Sequence, residues 1–314
     1  MPHPYATEPY AATLQHLGRV VAVPEWDCHV IARPTAGGGE DLLGCYPIST
    51  IDPKADLRGG LARLRSDGYV SVTLVCDDFH RPPLSALNET FDVVRPFKTH
   101  YIHKGGLQLY KPGRNHQYKI NRAFRTVDVK IIELKNHLDA WEALYAELVD
   151  RRRVMDTHLF TRASFTKLAE IPGVHAIGGF VDGTLVACHL WVSHSGHVHS
   201  HLVASNAEGY AQRASYAVSD ASVRYFADAE IINFGGGAGV IDDIDNGLAR
   251  FKRGFSNATA ASYICGAILD PVAYASLCLA APRTPEANFF FPAYRAPTPL
   301  DAKTGYPGER ASDV

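Results

Sequence analysis

The chain has 314 residues, 46% of them hydrophobic and 20% charged, with a formal net charge of −2. That composition can bury a sizeable core, as one large domain or two smaller ones, and it excludes a globally basic nucleic-acid binder, so any RNA contact must be local. The start has no cationic region leading into an apolar run, and no segment approaches the roughly 18 apolar residues of a bilayer span, so a cytoplasmic protein with no membrane partner is expected.

Strand-like runs at 20–23 and 28–32 precede a glycine-rich loop at 37–39. Over 55–66, Leu57, Leu61 and Leu64 recur at helical spacing, and after Asp67-Gly68 the nearly continuous apolar run 69–76 reads as a buried strand. A helix followed by a buried strand is an α/β pattern. A polar stretch bearing prolines at 77–84, a strand at 91–97 and a passage rich in Lys and Gly at 103–113 put the edge of a first lobe at residue 114.

Residues 115–126 set Arg and Lys beside Ile120, Ala123 and Phe124, and 138–151 place Leu138, Trp141, Leu144, Tyr145 and Leu148 on one helical face. A further helix is expected over 161–170, ending before Pro172-Gly173. The runs 174–181 and 185–192 flank Asp182-Gly183, a hairpin signal, and 197–204 supplies a third strand after Ser195-Gly196. Helical spacing returns over 212–229, and a short strand at 231–234 ends in Gly235-Gly236-Gly237. Helix, β-meander, helix, strand is the order of a GNAT acyltransferase core. A strand-like segment then reaches Leu269, and the tail 270–314 holds too many prolines for regular structure. The six cysteines form no CxxC pair and read as reduced core residues.

The run Ile231-Ile232-Asn233-Phe234-Gly235-Gly236-Gly237, then Asp245-Asn246-Gly247-Leu248, then Phe251-Lys252-Arg253-Gly254-Phe255, resembles the C-terminal signature of Fem-type acyltransferases. The resemblance implies an α/β (α+β) chain in which a degenerate GNAT-like N-terminal lobe, 1–114, accompanies an active GNAT-type lobe, 115–269. It implies transfer of an aminoacyl group from aminoacyl-tRNA, with alanyl-tRNA one candidate donor, to the amine of a peptide or carrier-bound peptide. A peptide bond would form without the ribosome and without a cofactor. Relatives in antibiotic pathways of the pacidamycin type extend small peptides in this way.

Ordinary acetyltransferases carry a pyrophosphate loop just after the third meander strand. Here the chain reads Ser205-Asn206-Ala207-Glu208-Gly209-Tyr210-Ala211-Gln212-Arg213-Ala214, without the closely spaced glycines that present backbone N–H groups to phosphate. Coenzyme A is disfavoured.

The resemblance sets Phe251 and Lys252 at the aminoacyl-tRNA end, with Lys252 meeting phosphate or a developing oxyanion and Phe251 and Arg253 binding donor. The same residues also fit a plain edge strand with Lys252 and Arg253 solvated. Asp243 and Asp245, with Asp242, fit an acid-base role toward the attacking amine or a solvated loop. His197, His199 and His201 would share one strand face, with His194 nearby. A base at His201, a groove lining and plain strand histidines all fit, and no metal is expected because a fourth ligand is not evident. Arg114, Lys119, Arg122 and Arg125, interleaved with Tyr118 and Phe124, and Arg213 suit a local RNA-end site or a solvated helix face. Two other functions stay open: an N-acyltransferase fed by acyl-CoA or a carrier protein, and a catalytically inactive GNAT-like binding module.

Overall fold

The computed structural model describes residues 2–152, 159–237, 242–282 and 290–296. In chain order its elements are α1 (Glu8–Ala11), β1 (Arg19–Val23), β2 (Cys28–Pro34), β3 (Glu40–Gly44), α2 (Leu57–Ser66), β4 (Ser71–Asp77), α3 (Leu84–Thr90) and β5 (Val93–Lys104). There follow α4 (Arg114–Ala123), β6 (Asp128–Ile132), α5 (Leu138–Arg152), α6 (Arg162–Leu168), β7 (Val174–Val181), β8 (Thr184–His194), β9 (His197–Ser205), α7 (Ala207–Ala211) and α8 (Ala214–Tyr225). The last are β10 (Ile231–Asn233), α9 (Gly247–Arg253), β11 (Ala258–Ile268) and α10 (Pro271–Ala280).

These elements group into two compact units, neither continuous in sequence. Of the described residues, the first holds 2–97, 159–164, 261–282 and 290–296, and the second 98–152, 165–237 and 242–260. These units divide the chain at other places than the lobe edges expected at 114 and 269: residues 98–114 group with the second unit, and β11 from Ala261 onward with the first.

In the first unit the strand order is β1-β2-β3-β4-β11, antiparallel except for the parallel pair β3 and β4. Its core gathers Leu57, Leu61 and Leu64 from α2 against Trp26, Leu42, Val72 and Leu74, so the leucine spacing read from sequence is the buried stripe of that helix. The second unit runs β6-β7-β8-β9-β10-β5, antiparallel except for the parallel pair β9 and β10. Tyr216, Ala217, Val218 and Val223 of α8 pack there on Ile177, Ala187, Trp191 and Val198 of the sheet.

The meander falls where the turn signals place it, with β7, β8 and β9 joined at Asp182-Gly183 and Ser195-Gly196. Helix α10 lies inside the segment expected to be irregular. Pro271 opens it at a position needing no N–H, and Asp270 caps it by accepting from Val272 and Ala273, both at 3.0 Å.

Candidate active site in the second unit

Strand β9 meets β10 over three residues, with His197, Val198 and His199 opposite Ile231, Ile232 and Asn233. β9 then continues against β8 as far as Ser205, while β10 turns into Gly235-Gly236-Gly237. Past His199 the pairing of the two parallel strands has ended. Gly235 sits at φ 76°, a left-handed conformation that glycine alone adopts freely. Its N–H goes to Asn233 Oδ1 at 2.8 Å and its carbonyl accepts from the Tyr101 N–H at 3.2 Å, so the turn is fixed.

The signature's Phe-Lys pair lies on helix α9, not on a strand. Asn246 caps that helix through the Ala249 N–H at 2.8 Å. Successive residues on a helix point about 100° apart, which separates the pair. Phe251 packs on Tyr216 and Phe255, with ring centroids at 4.9 and 5.0 Å, and its carbonyl accepts from His116 Nε2 at 3.0 Å. Lys252 turns the other way and its Nζ donates to the Gly236 carbonyl at 2.6 Å. Burial, and after it the charge of Lys98, lowers the Lys252 pKa to about 7. Lys98 is itself buried and pulled down by that burial, while Asp242 and Asp243 act in the opposite direction.

Asp242 Oδ2 accepts from the Thr99 N–H at 3.0 Å and its hydroxyl at 2.8 Å. Asp243 Oδ1 accepts the Asp245 N–H at 2.9 Å and so shapes the loop. Asp245 is exposed, and its carbonyl accepts from Arg250 at 2.7 Å. The carboxylates felt at Lys98 are thus Asp242 and Asp243, and Asp245 serves the loop through its backbone.

The shared histidine face is corrected by a bulge. Trp191 pairs with Ser200 and Leu190 with Leu202, so His201 is an extra residue and the alternation breaks there. His201 is buried, and burial lowers its pKa to about 3, so it is neutral at ordinary pH. His199 lies 5.8 Å from the His100 ring, and Asn233 Nδ2 donates to His100 Nδ1 at 3.1 Å. Among the described residues no three His, Cys, Asp or Glu side chains are grouped to hold a metal ion.

Of the basic residues, Lys119 donates to the Tyr216 hydroxyl at 2.9 Å and lies over its ring, which joins it to Phe251 through a common neighbour. Arg213 begins α8 at φ 57° with no side-chain cap bond. Arg253 is exposed, donates to the Ile244 carbonyl and lies over Tyr101, while Arg122 is exposed on α4. Where a pyrophosphate loop would lie, α7 stands instead. The Gly209 N–H is taken by Asn206 at 2.8 Å, and a Cβ there would strike the Val186 carbonyl, so this glycine permits close packing on β8 and presents no amide to a ligand.

No family model and no curated protein matches the chain. Solved structures do. FemX superposes with a TM-score of 0.60 at 13% identity, over 87% of this chain and 95% of that one. L-PGS from Bacillus licheniformis gives 0.56 at 11%, over 87% and 94%. The C-terminal domain of a protein assigned as a lysylphosphatidylglycerol synthetase from Agrobacterium fabrum gives 0.59 at 11%, over 86% and 90%. The chain has their fold. It is the GNAT-type α/β architecture expected from the element order, and among the described residues no helix is long and apolar enough to cross a membrane.

Two residues at this site carried no sequence signal. Lys98 sits in β5 one residue past the strand read from sequence, and its meaning comes only from Lys252, 154 positions later. His189 of β8 lay within an apolar run. It is buried, stacks on Trp191 at 3.9 Å, meets Ser200 Oγ through Nε2 at 2.7 Å and feels the Lys252 charge.

Proposed function

We propose that this chain transfers an aminoacyl group from aminoacyl-tRNA to the amine of a peptide or carrier-bound peptide, with Lys252 meeting the negative charge of the reaction. The observation that carries the proposal is the lysine pair: an ammonium on α9, drawn into the glycine turn and depressed to about 7 by burial and by a second cation. Such a site gains most from an anion. When the amine attacks the ester carbonyl, the carbonyl oxygen becomes an oxyanion, and a fixed cation in a place with little water stabilises it strongly. The departing ribose oxygen and the terminal phosphate of the donor are the other anions available to it.

The Fem-type signature and the fold shared with FemX and with lysylphosphatidylglycerol synthetase, which by its name joins lysine to phosphatidylglycerol, support an aminoacyl donor. The α7 segment in place of a pyrophosphate loop supports tRNA over coenzyme A. Phe251, Arg253, Lys119, Arg122 and Arg213 are the proposed donor contacts, Asp243 shapes the loop, and the assignment of Asp245 and His201 to proton transfer is not retained. The pacidamycin-type acceptor and a cytoplasmic site of action belong to the same proposal.

The test is transfer by purified protein from a charged tRNA pool to candidate amines, with and without ribonuclease. Product that vanishes with ribonuclease and needs no coenzyme A is expected. Turnover with acyl-CoA after ribonuclease treatment would decide for the thioester-fed acyltransferase.

A further inference from the structure

His189 is placed from two sides. Its ring lies on Trp191, whose Nε1 donates to Ser222 Oγ at 3.1 Å, and that hydroxyl donates to the Val218 carbonyl at 2.7 Å, so α8 fixes the indole and the indole fixes the imidazole. Across the strand pair, Nε2 meets Ser200 Oγ at 2.7 Å. Ser200 is the first residue of β9 past its pairing with β10, which puts the His189–Ser200 pair at the parting of the two strands. The other ring nitrogen, Nδ1, is buried with no hydrogen-bond partner among the described residues. A buried polar atom left in that state costs about 1–3 kcal/mol, and a ligand that supplies the missing partner recovers it.

We infer that His189 Nδ1 is the docking atom for the acceptor and receives an N–H of the attacking amine in its neutral form, so that the acceptor class is a weakly basic amine, such as the α-amine of a peptide. With Nε2–H donating to Ser200, Nδ1 keeps a lone pair and accepts. The inference rests on the transferase reading above and names its acceptor. Its physical ground is that a proton on His189 and an ammonium beside it are the same object, a cation placed next to Lys252 in a buried site. Burial and the Lys252 charge hold the imidazole well below its ordinary pKa, and the same two effects oppose an ammonium there. An α-amine, with a pKa near 8, is neutral far more often at pH 7 than a lysine-type amine near 10.4.

The step balances without a further reagent. The amine nitrogen bonds to the ester carbonyl carbon while the N–H proton passes to Nδ1, and the oxyanion forms beside Lys252. Its collapse breaks the bond to the ribose oxygen, which takes the proton from Nδ1 and leaves as a hydroxyl. Lys252 is neutralised by the oxyanion while His189 holds the proton, so the two charges do not oppose each other.

Alanyl-lysine amide carries both amines in one molecule, and the site of acylation is read by fragmentation mass spectrometry with charged tRNA as donor. The α-acylated product is expected in excess by about 10-fold or more, and a predominantly ε-acylated product would overturn the inference. His189→Phe keeps a ring on Trp191 and removes both nitrogens. It should lower kcat/KM for the acceptor by about 10²-fold with donor binding unchanged, and unchanged acceptor kinetics in this folded variant would also overturn the inference. If His189→Phe does not fold, Ser200→Ala, which releases the tautomer, should raise the acceptor KM, and wild-type values would count against the docking role. Absence of wild-type transfer from aminoacyl-tRNA would instead sink the parent reading, a result distinct from either product pattern.

Discussion

Strand β4 of the first unit and strand β10 of the second each lie between a parallel and an antiparallel neighbour, and each is followed by a short helix, α3 or α9. The strand directions β1-β2-β3-β4-β11 repeat in β7-β8-β9-β10-β5, and α2 and α8 occupy the same place between third and fourth strands. What differs is how the shared plan ends its strands and starts its helices. At the end of β4 the buried Asp77 carboxylate accepts the N–H groups of Phe79 and His80 at 3.0 and 2.9 Å and pairs with His80 Nδ1 at 3.2 Å. Beyond β10 the turn is three glycines, reached by Lys252. Helix α3 has no basic residue, while α9 has Arg250, Lys252 and Arg253 in its last turn. Helix α2 is capped by Asp56 through the Gly59 N–H at 2.9 Å, and α8 starts at an uncapped Arg213. At this junction the first unit sets a carboxylate against backbone N–H groups, whereas the second sets basic side chains against backbone carbonyls. This contrast supports the proposal that the first unit is a degenerate copy and the second does the chemistry.

Asp77→Ala removes three charge-assisted contacts from the first unit and should lower unfolding free energy by about 1–3 kcal/mol, leaving the transfer rate per folded molecule unchanged. Urea melts and single-turnover rates on the same sample check this, and a lost rate at unchanged stability would put chemistry in the first unit as well. At the helix starts, Asp56→Ala should cost about 1 kcal/mol. Arg213→Gly should cost nothing in stability, since glycine accepts φ 57° at ease, yet should raise the donor KM. A stability loss with unchanged KM would make Arg213 a structural residue.

The smallest effect concerns pH. Folded Lys252, near 7 against an ordinary 10.5, binds fewer protons than the unfolded chain between those values. Its burial penalty is therefore full below about 7 and fades as pH rises toward 10.5. Activity that needs the charged form falls as pH rises through about 7. Lys98→Met removes the neighbouring charge, so the Lys252 pKa rises and the alkaline limb of kcat/KM for the donor should move to higher pH. An unmoved limb would show that the two lysines do not sense each other.

The meander was legible because Asp182-Gly183 and Ser195-Gly196 punctuate strand-like runs, a local signal. Helix α2 was legible from three leucines. Helix α9 was not, because its seven residues span barely two turns and Phe251 and Phe255, which flank its end, alternate with charges as a strand would. Strand β6 escaped because it carries two charged residues and has no fully buried position. Lys252 was found through the signature around it. Lys98 and His189 were not, since each owes its character to burial against a residue distant in sequence, and that is a tertiary fact. The bulge at His201 defeated a period-two reading of the histidines for the same reason.

The most direct test of the proposal that the second unit does the chemistry is single-turnover transfer from preformed donor complexes of wild type, Lys252→Ala and Lys252→Arg. If the ammonium meets the oxyanion, Lys252→Ala should lower the transfer rate by about 10²-fold or more at nearly unchanged donor affinity. Lys252→Arg should recover only part of that rate, because guanidinium keeps the charge and alters reach and hydrogen-bond geometry. A folded Lys252→Ala protein with wild-type transfer rate and donor affinity would contradict the assignment of the site.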